Sequence, residues 1–146
     1  MTTYLHTQPG TFIRILVGTM LLVWIFIVAL KVKNNGIGAL IGLPITLAIL
    51  ACFWSMTVEV TNTHLQHYFS WGFWKKSYPI HNITSIEKGR THWYNGYGIR
   101  YVGTGWLYNV SGHDVLIVTL QSGEEIRLGT DDLEELHTIL SDKLDR

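Results

Sequence analysis

The side chains best suited to chemistry in this 146-residue chain are its histidines, its carboxylates and one run of aromatics. His64 and His67 come closest to metal-ligand spacing, but three residues apart on a strand they point to opposite faces, so one ion does not take both. His81, His92 and His113 are isolated in sequence and converge only if the fold brings them together. The carboxylates crowd between Glu124 and Asp145, where most belong to the solvated face of a last helix. There is no phosphate loop, nucleophile elbow or Cys-His pair. The chain is therefore expected not to be an enzyme and to need no metal or cofactor; a membrane hydrolase with an unseen site is the enzymatic alternative.

The aromatics lie between Arg90 and Gly112: Trp93, Tyr94, Tyr97, Tyr101, Trp106 and Tyr108, interleaved with Gly96, Gly98, Gly103 and Gly105 and joined by Arg100. Large rigid rings with polar tips on a glycine-permitted backbone suit a contact surface. Trp93, Tyr94, Tyr97, Arg100, Trp106 and Tyr108 are the candidate interaction surface. The same rings serve equally as packing at the ends of a small sandwich or as an interfacial belt.

These residues need elements to hold them, and the longest such elements come first in the chain. Phe12 to Leu30 is a run of 19 residues charged only at Arg14, and Ile37 to Trp54 a run of 18 with no charge. Each is about 27–29 Å long as a helix, close to the roughly 30 Å of bilayer hydrocarbon, so residues 12–54 are expected to form a transmembrane helical hairpin. Met1 to Thr11 reads as a short polar tail lacking the features of a cleaved signal. Lys31-Val32-Lys33-Asn34-Asn35-Gly36 reads as the turn between the spans. Gly38 and Gly42 are candidate helix-packing positions, facing either the first helix or another copy. Cys52 has no cysteine partner and reads as apolar filler.

From Ser55 the pattern changes to alternation, and residues 55–146 read as one domain. Strands are expected at Thr57 to Thr61, Leu65 to Ser70 and Phe73 to Tyr78, then after a short helical turn near Ile80. Asp114 to Gln121 and Glu124 to Leu128 flank Ser122-Gly123 as a hairpin. Thr130 is the expected N-cap of a last helix carrying Leu133, Leu136, Ile139, Leu140 and Leu144 on one face.

Gly98-Ile99-Arg100, Gly105-Trp106-Leu107-Tyr108-Asn109-Val110-Ser111-Gly112 and Ile126-Arg127-Leu128-Gly129-Thr130-Asp131 resemble small bacterial membrane proteins with two N-terminal transmembrane helices and a pleckstrin-homology-like domain. The resemblance implies an α+β membrane protein whose antiparallel β-sandwich, or partly open barrel, is capped by a C-terminal helix. It implies no chemistry, and some bacterial relatives assemble into rings. The eukaryotic branch binds phosphoinositides through basic residues in the first hairpin; the turn Asn62-Thr63-His64 has no Lys or Arg, which puts that site in doubt.

The expected function is a membrane-anchored interaction module binding a partner protein, membrane or cytoplasmic, or its own copies; the alternative is a lipid-surface sensor binding anionic head groups. Membrane lipids are expected partners and nucleic acid is not. Net charge is zero, yet all 11 acidic residues follow Ser55. Lys75, Lys76, Lys88, Arg90 and Arg100 outnumber Glu59 and Glu87 in the part of the domain nearest the hairpin. The first four are the candidate lipid-facing basic residues. This polarity and the resemblance place the domain and both termini in the cytoplasm, against Lys31 and Lys33, which by a positive-inside count would place the turn there instead.

Overall fold

The computed structural model describes residues 2–29 and 36–145, with side chains left aside at 28 and 36–40. Strands β1 (Thr2–Pro9), β2 (Ser55–Thr61), β3 (His64–Phe69) and β4 (Phe73–Pro79) form an antiparallel sheet in the order β1-β2-β3-β4. Strands β5 (Ile83–Arg90), β6 (Gly98–Val102), β7 (Gly105–Asn109), β8 (Asp114–Leu120) and β9 (Glu125–Gly129) form a second sheet in the order β5-β8-β9-β7-β6. Helices α1 (Thr11–Ala29) and α2 (Gly36–Cys52) fall between β1 and β2 in sequence, and α3 (Leu133–Leu144) ends the chain.

One apolar core joins the sheets. Met56, Val58, Val60, Leu65 and Phe69 enter it from the first, Leu116, Val118, Ile126 and Leu128 from the second, and Leu136 and Leu140 from α3. Strand alternation and the helical i, i+4 spacing of the two leucines put these side chains on the inward faces. Asp132, not Thr130, occupies the N-cap of α3; the Thr130 hydroxyl instead accepts from the Asp132 backbone N–H at 3.1 Å.

Several expectations are corrected. The polar tail is β1, an edge strand paired along β2 from Thr2 opposite Thr61 to Pro9 opposite Ser55. Tyr4 donates to Asp132 at 3.1 Å and His6 Nε2 lies 2.6 Å from Asp131, which ties the strand to the start of α3. At Gly10 the chain turns into α1 so close to the end of α2 that a Cβ would sit 2.4 Å from the Phe53 carbonyl oxygen. The second sheet is mixed rather than antiparallel, since β7 and β9 run parallel, and both sheets are open.

The transmembrane hairpin is also overturned. Arg14 is held in the first turn of α1, donating to the Trp54 carbonyl at 3.0 Å with its guanidinium 4.0 Å from the Trp54 ring centroid. The uncharged part of α1 then runs from Ile15 to Ala29, about 22 Å, and the 17 residues of α2 make about 26 Å, both below the roughly 30 Å of hydrocarbon. Among the described residues, no helix is long and apolar enough to cross a membrane. The two-span resemblance, the integral-membrane location and the cytoplasmic placement argued from it fall with this finding. Gly42 packs within the chain, where a Cβ would meet the Trp24 ring at 2.4 Å. The side-chain environment of Gly38, and the expected turn at Lys31 and Lys33, lie outside the described residues.

Candidate functional site

Between β5 and β6 the chain makes a short 3-10 turn at Trp93–Asn95, closed by Asn95 donating to the Thr91 hydroxyl at 3.1 Å. The turn raises Trp93 and Tyr94 out of the domain, Trp93 to 79% exposure, and Tyr94 stacks on His92 with ring centroids 4.9 Å apart. Gly96 and Gly98 follow with φ of 67° and 100°, a backbone open to residues without a Cβ. They bend the segment back against α1, where Tyr97 stacks on Phe12 at 4.3 Å.

The space left between this segment and the helices is a groove of about 850 Å³. Leu16, Val17 and Met20 of α1 and Ile49 of α2 form its apolar wall, while Arg100 and His113 supply polar groups. Among the described residues, no Asp or Glu lines it. The Arg100 guanidinium lies over Gly96, where a Cβ would come within 3.0 Å of Cζ, and Nε donates to the Tyr97 carbonyl at 3.4 Å. Among the described residues the ion pairs engage His6, Lys88, Arg90 and Arg127 but not Arg100.

The structure therefore divides the candidate contact surface. Trp93, Tyr97 and Arg100 line one groove, with Tyr94 beside Trp93. Trp106 lies apart from the groove, on the same face of β7 as Tyr108 with the two rings stacked at 6.5 Å, and with Tyr101 edge-on at 5.6 Å. Tyr108 is corrected to a core residue, 3% exposed and packed against His67 at 4.2 Å, because β7 turns it between the sheets. The basic candidates divide as well: Lys88 pairs with Glu134 and Arg90 with Asp114, leaving Lys75 over the Tyr68 ring and Lys76 exposed.

A second aromatic group was not singled out from the sequence. The β3–β4 connection exposes Trp71, to 88%, with Phe73 and Trp74, and it is bracketed by left-handed φ of 42° at Ser70 and 53° at Trp74. Strain at a bulky residue such as Trp74 persists only where its surroundings enforce it. Here Phe73 meets Phe53 edge-on at 5.8 Å, and the Ser70 hydroxyl donates to the Cys52 carbonyl at 3.0 Å, binding the tip to the end of α2. The readable signal was Trp71-Gly72-Phe73-Trp74 itself, three rings about a turn glycine, directly before Lys75 and Lys76.

His64 and His67 do alternate across β3, and His67 is fully buried. Burial, with Lys76 nearby adding to it, lowers its pKa to about 3. Desolvation likewise raises the Tyr78 and Tyr108 phenols. Among the described residues, no three His, Cys, Asp or Glu side chains gather as a metal site would require.

Because Trp93 stands clear of the core, Trp93→Ala is expected to change folding stability by no more than about 0.5 kcal/mol, which urea unfolding will check. A larger loss would make Trp93 part of the scaffold rather than a contact residue. The chain matches no protein-family model, and no curated protein or solved structure is significantly similar to it.

Proposed function

We propose that this protein is a binding module without catalysis that works at a lipid surface. The observation that carries this reading is where the exposed apolar surface lies. Ile15, Leu22, Val23, Ile25 and Phe26 of α1 and Ile41, Ile45 and Ile49 of α2 are exposed, and Trp54, Trp71, Phe73, Trp74 and Trp93 are exposed around the base of the same two helices. An apolar surface of this extent calls for an apolar cover, and amphipathic rings at its edge suit the boundary between acyl chains and water. Lys75 and Lys76 follow directly on the aromatic tip, where cations gain from anionic head groups. The β-rich α+β fold with its C-terminal helix is compatible with a pleckstrin-homology-like domain, a scaffold suited to such a role.

Binding to a partner protein through the aromatic segment predicts a patch remote from the helices. Trp93 and Tyr97 instead border α1, which favours lipid. The test is co-flotation of the full chain with phosphatidylcholine vesicles after detergent removal. Wild type is expected to float, and Trp71→Ala to weaken its partitioning about tenfold, equivalent to about 1.4 kcal/mol and in keeping with the loss of one buried ring. Protein that stays at the bottom of the gradient as a defined oligomer would replace lipid by self-association as the cover.

A further inference from the structure

We propose that the groove between α1 and the segment Thr91 to Arg100 holds a single anionic phospholipid, its phosphate on Arg100 and an acyl chain along Leu16, Met20 and Ile49. The inference rests on the lipid-surface reading and adds a defined site to it. Arg100 is an exposed cation whose guanidinium has the Tyr97 carbonyl as its one hydrogen-bond partner among the described residues, so most of its donors remain open to a ligand. A planar fork of donors matches a phosphate in bidentate fashion. With no carboxylate among the described residues that line the groove, an anion there meets no like charge from them, and His113 on the same lining offers a further ring nitrogen.

The wall beneath Arg100 has the opposite character. Leu16, Met20 and Ile49 are each more than two-fifths exposed while lining the groove, so the apolar track continues from it onto the open faces of α1 and α2. A chain longer than the groove therefore has somewhere to run. Polar head and apolar track together select an amphiphile, and the volume of about 850 Å³ lies within the usual range of ligand sites. The site is shaped by backbone as much as by side chains: at Gly96 any Cβ would push the guanidinium away from the position it holds.

The experiment uses the full chain in nonionic detergent, titrated separately with phosphatidylglycerol and phosphatidylcholine, with one-to-one adducts counted by native mass spectrometry. Wild type is expected to take one phosphatidylglycerol about fivefold more tightly than phosphatidylcholine, equivalent to about 1 kcal/mol for one basic group. Arg100→Gln should remove that preference with an unchanged melting temperature, while Met20→Asp, which leaves Arg100 in place, should weaken both lipids. Arg100→Gln that keeps the preference would overturn the proposal. So would an acidic peptide that binds through Arg100 while the two lipids bind alike, which would give the groove to a protein partner. Flotation separates the two levels: a chain that floats without preferring phosphatidylglycerol loses only this site, whereas one that does not float loses the lipid-surface reading and the site together.

Discussion

Acidification from pH 7 to pH 4 is expected to cost the fold about 3 kcal/mol through His67 alone, and His67→Phe should abolish that part of the loss. His67 is fully buried in β3, and neither ring nitrogen has a hydrogen-bond partner among the described residues. Tyr108 and Tyr78 lie against the imidazole at 4.2 and 5.8 Å between ring centroids, and Lys76 is the charged group that acts on it. In the unfolded chain the imidazole takes up a proton below about pH 6.5, whereas in the fold burial holds it neutral down to about 3. The unfolded state therefore binds more protons throughout that window. Stability from this group is complete above pH 6.5 and drains away at about 1.4 kcal/mol per unit as pH falls toward 3. Urea unfolding of both proteins at pH 7 and pH 4 isolates the effect, because the remaining titrating groups are shared. At pH 7 the variant should be at least as stable as wild type, since it removes two unpaired buried nitrogens. Equal losses in the two proteins on acidification would show that water reaches His67.

Gly105→Ala is the second change expected to act strongly, costing about 3 kcal/mol or more. Gly105 opens β7 opposite Glu125 of β9, in the parallel pair inside the second sheet. A Cβ there would fall 1.8 Å from the Glu125 carbonyl oxygen, and that atom is backbone with strands on both sides, so it cannot swing away as a side-chain tip would. The Glu125 side chain is also engaged, accepting from Thr104 at 2.5 Å and Arg127 at 2.9 Å, which together hold its pKa down. Gly18→Ala serves as the control: no atom lies within 4 Å of a Cβ built there, and in a helix Ala gains up to about 1 kcal/mol over Gly. Thermal melts of the two variants should move in opposite directions. A Gly105→Ala protein that melts with wild type would mean that β7 and β9 are not joined as described.

Local pattern determined much of the domain. Ser55 to Pro79 is a meander of alternating strands, Ser122-Gly123 turns between β8 and β9 with Gly123 at φ 83°, and the spacing of Leu136 and Leu140 sets the buried stripe of α3. Each of these signals lies within a few residues of the structure it specifies, so sequence order suffices to read it. The helices α1 and α2 were legible for the same reason. Whether they crossed a membrane was not, because that turned on where α2 stops and on Arg14 being drawn to Trp54, a contact across 40 residues.

Tertiary structure decided the rest. β1 turns Tyr4 and Gln8 inward while Leu5 is 61% exposed, the reverse of what hydropathy expects, so a strand was hidden in a polar tail until its pairing with β2 appeared. Trp106 and Tyr108 share one face of β7 and stack at 6.5 Å, yet Trp106 stays 37% exposed while Tyr108 packs on His67, because the first sheet covers one position and not the other. Residue type and position marked Arg100 as a candidate contact residue but not the partners it would meet. Among the described residues it forms no ion pair, whereas Lys88 and Arg90 meet Glu134 and Asp114, and it came to line the groove when Gly96 and Gly98 bent its segment against α1. Residue type and spacing specify what a side chain can do. Which partners it meets depends on contacts between segments far apart in the chain, and those are set by packing of the whole fold.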